Sequence, residues 1–402
     1  MRISIFTPTH DPKYLLDVYQ SIKDQSFNEW VILYNNGAKR IGFDDPRIKE
    51  IILEIPETNI GQLKRLACDN CTGDILLELD HDDLLVSNAI AEVRRAFKDE
   101  SVGFVYSNVL MTDMNLGKLE RFNLAHGWQY RETEYCGHLL DEPISFESSP
   151  ASVSKIWYAP DHLRAFRKSV YNQVGGYANL KILDDQDLMC RMYQVTKFHH
   201  IDKGLYVYRV HGDNTWLARN KDIQGGVYPL YDKYIEPMAW KWADDQGLAC
   251  YDLGGRLNKK DGYVSVDLKD AEINCDLNRR WPFDDSSVGV IRAFDVFEHL
   301  RDPLYTMKEL YRVLAPGGYA FIQVPSTDGR GAFQDPTHVS FWNENSFLYY
   351  SNSNWAKYVD APVKFQAMRC YTTQKDAQEV CWTVAHLCSL KGGNRPPGII
   401  NI

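Results

Sequence analysis

The segment Ile75-Leu76-Leu77-Glu78-Leu79-Asp80-His81-Asp82-Asp83 drives a continuous apolar run straight into three aspartates. Burying that much like charge is costly unless a cation neutralises it. Alternating carboxylates supply oxygen ligands for a hard divalent ion, Mg2+ or Mn2+, which keeps part of its water shell and binds substrate phosphates. The alternative for such an Asp-x-Asp pattern is a solvated acidic turn ahead of Leu84-Leu85. A second cluster, Asp184-Asp185-Gln186-Asp187, opens a helical stretch carrying Leu188, Met192 and Tyr193. Read on its own, that cluster caps the helix. A hydrolase would need two carboxylates flanking one bond.

A different pattern starts at Tyr251-Asp252-Leu253-Gly254-Gly255. A strand ending in Asp-Leu-Gly-Gly lets backbone approach a ligand closely, and Val264-Ser265-Val266-Asp267 ends in an acid able to take both hydroxyls of a ribose. Each signal alone is weak, because a glycine pair after a strand is usually a turn. Only about ten residues separate Gly255 from Asp267, too few for the helix of ~10 residues plus two turns that normally fills this crossover.

The elements that must position these groups are legible as periodicity. Residues 1–80 alternate β-branched runs with helical stretches: Ile3–Phe6, Asp11–Asp24, Trp30–Tyr34, Ile51–Ile55, Ile60–Asn70 and Ile75–Leu79. That alternation predicts a parallel sheet in an α/β fold, with ligands beyond the carboxyl ends of its strands. Asp11-Pro12 is a helix start, and Leu15, Leu16, Tyr19 and Ile22 are the expected buried stripe. A helix is predicted over Leu163–Val174, closing on Gly175-Gly176. An aromatic-rich helical stretch then leads to the second α/β pattern. The reading divides the chain into residues 1–221, a helical connector 222–248, and 249–402.

Taken together, TPTHDPKYLLDVYQSIKDQSF, the turn Asn35-Asn36-Gly37, NIGQLKRLACDNCTGDILLELDHDD, FRKSVYNQVGGY, LDDQDLMCRM and LYVYRVHGDNTW occur in the order found in family 2 glycosyltransferases. Residues 1 to about 220 resemble that family, which implies a GT-A nucleotide-sugar-binding domain and a UDP-, GDP- or dTDP-linked sugar donor. The resemblance implies that Thr7, Pro8 and Thr9 line the nucleotide pocket, and that Asn35 and Asn36 stand where Asp-Asp usually meets the base. An amide both donates and accepts, so the identity of the base is open at this point. Asn59, Gly61 and Lys64 match the element approaching the donor, with Lys64 on a diphosphate oxygen. Asp80 faces the donor and, with Asp82 and His211, the metal; Asp185 is the implied general base. The implied reaction is inverting transfer of a sugar to a glycan or other hydroxyl acceptor.

The stretch from 251, with Trp-Pro-Phe-Asp-Asp-Ser-Ser, Phe-Glu-His-Leu and Arg-Val-Leu-x-Pro-Gly-Gly, resembles class I S-adenosylmethionine-dependent methyltransferases over about 250–350. The resemblance implies a shortened Rossmann-like domain in which Gly254, Asp267, Asp276 and Asp295 contact S-adenosylmethionine. His299 or His338 is then a base toward a sugar hydroxyl. Arg256 and Leu257 stand where small residues are expected, so an inactive methyltransferase-like domain is an alternative, as is a non-catalytic glycan- or nucleotide-binding protein.

Composition bounds these readings. At 402 residues the chain is long enough for two domains at roughly 100–200 residues each. With 44% hydrophobic and 25% charged residues it is an ordinary globular composition. A net charge of −9, from 45 basic and 54 acidic side chains, is the wrong sign for gripping nucleic acid or an anionic membrane. No apolar run approaches the ~20 residues of a membrane helix, and MRISIFTPTH lacks the pattern of a secretory signal, so a cytoplasmic location without an integral membrane segment is expected. The nine cysteines are then expected to be reduced. Cys68 and Cys71, with Cys136 and His138, have zinc-ligand types, though buried thiols on a helix fit as well. Trp128, Tyr130, Trp157 and Tyr158 are candidates for stacking on acceptor sugars.

Overall fold

The computed structural model describes residues 1–212, 214–257 and 259–392. They form two compact units, the first covering Met1–Leu124 and Trp128–Ile235, the second Ala125–Gly127 and the chain from Glu236 onward.

In the first unit the strands are β1 (Ile3–Thr9), β2 (Glu29–Tyr34), β3 (Ile48–Ile52), β4 (Ile75–Glu78), β5 (Leu84–Leu85), β6 (Val102–Asp113), β7 (Tyr130–Tyr135), β8 (His138–Pro143), β9 (Arg164–Arg167) and β10 (Lys197–Val210). They join in the order β3-β2-β1-β4-β9-β6-β10-β5, with the β7–β8 hairpin attached to β6. The run β3-β2-β1-β4 is parallel, as the alternating pattern predicts. β9 then enters antiparallel between β4 and β6. The mixed sheet that results brings the carboxyl ends of β1, β2 and β4 to one edge.

The expected helix over Leu163–Val174 is therefore two elements: β9, followed by α5 (Lys168–Gln173). Tertiary packing overrides helical spacing here, because Ala165 and Phe166 are fully buried between two strands. The other helices of this unit are α1 (Leu15–Ile22), α2 (Ile60–Asp69), α3 (Ala89–Ala96), α4 (Pro150–Val153), α6 (Asp184–Tyr193), α7 (Thr215–Ala218) and α8 (Asn220–Asp245). Helix α1 buries Leu15, Val18 and Ile22 against β1 and β2, while Leu16 is 53% exposed. The buried stripe thus follows the 3- and 4-residue spacing through Val18 and bypasses Leu16. The chain divides into its two units within α8.

The second unit contains β11 (Ala249–Leu253), β12 (Val264–Asp267), β13 (Ile273–Asn274), β14 (Val288–Phe294), β15 (Leu314–Pro325), β16 (Phe365–Thr372) and β17 (Trp382–Ser389). Their order is β13-β12-β11-β14-β15-β17-β16, parallel through β15 with β17 antiparallel between β15 and β16. The first five strands reproduce the 3-2-1-4-5 order of a doubly wound sheet. Helix α9 (Pro303–Val313), capped by Asp302, links β14 to β15, and α10 (Gly331–Gln334), α11 (Glu344–Ser351) and α12 (Ser353–Ala356) lie between β15 and β16. Among the described residues no helix joins β11 to β12, β12 to β13 or β13 to β14. The shortened domain expected from the Gly255–Asp267 spacing is what the chain forms. The second half of α8 packs on this unit instead: Trp240 lies so close to Gly262 that a Cβ there would sit 1.5 Å from its ring.

Candidate active sites at the strand ends of both units

The first site is organised by a carboxylate that sequence reading passed over. Glu78, the last residue of β4, is fully buried. It takes Lys64 Nζ at 2.7 Å on one oxygen, and on the other Arg164 Nε at 3.0 Å and the Tyr177 hydroxyl at 3.1 Å. A charge inside a strand buried on both faces needs such partners, and the Glu in ILLELD was the available signal. The same two cations hold the pair that opens α6. Lys64 Nζ lies 3.1 Å from Asp184, and Arg164 Nη1 donates to Asp185 at 2.7 Å.

The two aspartates therefore diverge. Asp184 is 5% exposed and burial raises its pKa to about 6, against the pull of Lys64. Asp185 is 23% exposed; burial raises its pKa too, but Arg164 and Lys64 more than reverse this and lower it to about 2. Of the two, Asp185 is the ionised, accessible carboxylate. Lys64 itself is 10% exposed, and its pKa is raised because Asp184 and Glu78 outweigh its burial. Its charge is paired with two buried carboxylates, so it is not the free point charge for a diphosphate that the sequence suggested.

Beyond β4 the acidic run separates into pairs. Asp82 Oδ2 stands 2.8 Å from His211 Nε2, bringing together groups 129 residues apart. Asp80 faces away from that pair, with His162 Nε2 at 3.3 Å from its Oδ2. Ligand atoms of Glu78, Asp80 and His162 lie within 4.8 Å of one another, whereas Asp80, Asp82 and His211 form no such group among the described residues. Burial and Arg164 pull the His162 pKa down, and Asp161 and Asp80 more than reverse them, to about 10. Asp83 is buried and structural, accepting from the Tyr206 hydroxyl at 2.9 Å and the Arg209 backbone at 2.7 Å. An ion between Asp82 and His211 would find a carboxylate and an imidazole already in register, a donor set that fits Mn2+. His162, Arg164 and Glu78 are the functional candidates that sequence reading missed.

The implied nucleotide-pocket residues mostly hold the fold. Thr7 is buried; its hydroxyl donates to the Leu79 carbonyl at 2.7 Å and accepts from Trp30 Nε1 at 2.9 Å. Thr9 donates to the Asp11 carbonyl at 2.9 Å. Asn35 clasps Glu57, donating to its carbonyl at 2.8 Å and accepting from its N–H at 3.0 Å. Only an amide makes both bonds, which accounts for Asn where the family has Asp. Asn36 is exposed in a left-handed turn with φ 54°, and Pro8 is half-buried. Asn59 donates to Asn179 at 2.6 Å. Gly61 lets α2 meet the loop before α6: a Cβ would sit 2.0 Å from the Ala178 carbonyl oxygen.

In the second unit Gly254 (φ +70°) is packed so closely on Val296 that a Cβ would lie 2.4 Å from its Cγ2. Asp252 before it is buried in a two-oxygen pair with Arg292, at 2.9 and 3.0 Å. Asp267 accepts from the Leu268 N–H at 2.6 Å on one oxygen; Asp276 accepts from the Asn278 N–H at 3.0 Å on one oxygen, and its other lies 3.5 Å from Arg279 Nε. Asp295, in the left-handed region at φ 56°, accepts from Trp382 Nε1 at 3.0 Å, and burial raises its pKa. These carboxylates end β12, β13 and β14 along one edge, and they fit a ribose and an amino-acid ammonium. His299 is exposed; Glu298 beside it is buried, and burial pushes its pKa up to about 8.

No cysteine belongs to a metal-ligand group among the described residues. Cys68 and Cys71 are buried thiols, their pKa values raised by that burial. Trp128 packs with Phe146 and Tyr158, at ring distances of 5.2 and 6.0 Å, in an aromatic cluster. No helix among the described residues is long and apolar enough to cross a membrane.

Chondroitin synthase of Pasteurella multocida (strain Pm70) is 24% identical over 236 residues, 55% of this chain and 22% of that protein. Hyaluronan synthase of Pasteurella multocida is 24% identical over 260 residues, 58% of this chain and 24% of that one. The chain thus spans less than a quarter of the length of these curated relatives. Among solved structures, Staphylococcus aureus TarS 1–349 aligns at TM-score 0.42 and 13% identity, over 65% of this chain and 76% of that chain. The mannosyltransferase PcManGT of Pyrobaculum calidifontis, in complex with GDP-Man and Mn2+, aligns at 0.41 and 14%, over 60% and 69%. Residues 224–375 match a family model described as a methyltransferase domain. The C-terminal part of the chain thus matches a methyltransferase-domain model, and the chain is similar to glycosyltransferases.

Proposed function

We propose that the first unit is a metal-dependent, inverting glycosyltransferase and that the second methylates a sugar hydroxyl using S-adenosylmethionine. The observation that carries the first half is the 2.8 Å contact between Asp82 and His211, brought from the ends of different strands. A divalent ion held there would neutralise the diphosphate of a UDP-, GDP- or dTDP-linked sugar. Asp185, ionised and accessible, takes the proton of the acceptor hydroxyl as its oxygen bonds to the anomeric carbon. Its low pKa makes it a weak base toward a free alcohol. The hydroxyl becomes strongly acidic only as that bond forms, so transfer of the proton comes late in the displacement. Pro8 and Asn36 are the pocket residues left to meet the base, since Thr7, Thr9 and Asn35 are committed within the protein.

The matching experiment is sugar transfer, or slow donor hydrolysis, with Mn2+ and a panel of nucleotide sugars. Asp82→Ala should abolish metal-stimulated turnover and Asp185→Asn should abolish transfer while leaving donor binding. Full activity in both variants would overturn the mechanism. A domain arrangement of residues 1–221, connector 222–248 and 249–402 suits two sequential reactions on one glycan, the linkage raising the effective concentration of the second site. For the second unit the missing crossover helices favour a specific second reading, a methyltransferase-like domain without activity. Calorimetry with S-adenosylmethionine separates the two: heat of binding supports transfer, and none at millimolar cofactor leaves a one-reaction enzyme.

A further inference from the structure

Where β14 ends, Phe297–His299 forms a single turn, and the loop after α10 is pinned onto it. The backbone N–H groups of Val339 and Ser340 donate to the Glu298 carbonyl at 2.8 and 3.0 Å, and the Ser340 hydroxyl donates to the Phe297 carbonyl at 2.8 Å. Trp342 Nε1 in turn donates to Ser340 at 3.0 Å. This lattice holds His338 over Glu298. Glu298 is 2% exposed, yet neither of its carboxylate oxygens finds a hydrogen-bond partner. A buried carboxyl left this way must either hold a proton or meet a cation. No Lys or Arg pairs with it among the described residues; the nearest cationic candidate, His338 Nε2, is 4.0 Å away, too far for a hydrogen bond.

The two imidazoles are oriented to accept rather than donate. His338 Nδ1 lies 3.0 Å from the Ala332 carbonyl oxygen, which can only accept, so Nδ1 carries the hydrogen and Nε2 the lone pair. Thr337 spends its hydroxyl hydrogen on Asp335 at 2.7 Å. His299 Nδ1, 3.2 Å from both the Thr337 carbonyl and hydroxyl oxygens, is therefore the donor, and Nε2 is again free to accept. Histidines whose second nitrogen is tied to a carbonyl are the usual form of metal-ligating histidine. Ligand atoms of Glu298, His299 and His338 all lie within 4.8 Å of one another. Three potential ligands thus converge on one point.

We propose that Glu298, His299 and His338 bind a divalent first-row transition-metal ion such as Zn2+ or Co2+, with open coordination positions on the exposed His299 side. Two imidazoles and one carboxylate are a donor set for such ions. Ligands ~2.1 Å from a tetrahedral ion stand roughly 3.4 Å apart, so binding draws His338 and Glu298 together by about half an ångström. Asp335 Oδ2, 3.9 Å from His338 Nε2, adds negative potential at the rim. A hydroxyl oxygen in an open position would lose its proton more readily; that use rests on the methyl-transfer reading, whereas the metal site does not. His299 then acts on an acceptor through the ion and not as a free base.

The test titrates chelator-treated full-length protein with Co2+, reading visible absorption and bound metal by equilibrium dialysis. The wild type should show the intense visible bands of a nitrogen-ligated, low-coordinate Co2+ ion. Asp82→Ala, in the other unit, should keep them, and His338→Ala and His299→Ala should lose them. Glu298→Gln keeps shape while removing the charge, so it should lose the bands and melt no lower than the metal-free wild type. Unchanged bands in His338→Ala and Glu298→Gln, or no Co2+ bands in the wild type at millimolar metal, would overturn the proposal.

Discussion

Replacing Lys64 with Met tests whether this residue is a member of a buried charge lattice or a free diphosphate ligand. Met keeps the length and apolar stem of Lys, so little cavity forms, but it deletes the ammonium between Glu78 at 2.7 Å and Asp184 at 3.1 Å. Glu78 keeps Arg164 and Tyr177. Asp184 loses its one ion-pair partner among the described residues. Breaking a buried pair in this way costs about 3–5 kcal/mol. For a unit of this size that lowers the melting temperature by roughly 6–20 °C. The deficit has a definite pH dependence. The Asp184 pKa is already raised to about 6 from 3.8, so its ionisation opposes folding as pH rises through that range. Without Lys64 the folded-state value climbs further, and the gap between variant and wild type widens above about pH 6. Lys64→Met combined with Asp184→Asn removes the orphaned charge and should recover at least half of the loss. Calorimetric melting of the full chain at pH 5, 7 and 8 reads all three quantities. A loss under about 1 kcal/mol, a gap independent of pH, or a double variant no better than the single one would refute the lattice and return Lys64 to the donor pocket.

Asp185→Asn should lower sugar transfer by about 10²–10⁴-fold with donor affinity unchanged, measured by steady-state rates beside calorimetry with the nucleotide sugar. Because Arg164 helps depress the Asp185 pKa from 3.8 to about 2, that carboxylate stabilises the fold above about pH 4 and loses its contribution as pH falls through about 2; Arg164→Lys should move the acid limb of activity upward. Gly61→Ala should destabilise the first unit by on the order of 1–3 kcal/mol in denaturant titration, since its Cβ would meet the Ala178 carbonyl at 2.0 Å. Asn35→Asp, which sets a carboxylate against the Glu57 carbonyl, should cost about 1–3 kcal/mol even if it restores the residue usual in the family.

The architecture was largely legible because periodicity and strand-end chemistry are local. Six motifs in order placed the elements around β1, β2, β4 and α6, and the short interval after Gly255 announced a crossover with no room for a helix. The misreadings share one cause. Leu163–Val174 has helical spacing, yet sheet pairing claims Arg164–Arg167, a decision made by β4 and β6 rather than by the segment. Leu16 was as apolar as its neighbours, and only the direction of α1 exposes it. Side-chain engagement was less legible still. Nothing local to Thr7, Asn35 or Lys64 reveals that their partners are Leu79, Glu57 and Glu78. Residue type placed them at the pocket, and long-range pairing turned most of their polar atoms inward.

Those inward pairings explain how one edge of a sheet can hold so much negative charge. From Asp80 the charges run to His162 at 3.3 Å, from His162 to Arg164 at 2.9 Å, and from Arg164 to Asp185 at 2.7 Å. Arg164 also reaches Glu78, which holds Lys64, which holds Asp184. Asp80 and Glu78 on the strand side and Asp184 and Asp185 on α6 are thus linked through Lys64, Arg164 and His162. In a low-dielectric setting such contacts are coupled rather than additive. Asp185 and Asp80 are consequently not independent parts. Arg164 depresses the Asp185 pKa while holding Glu78 in place, so its position couples the ionisation of Asp185 to the end of β4. A charge count would treat this edge as surplus acid. The pairings make it an interlocked scaffold, beside which Asp82 and His211 pair with each other at 2.8 Å.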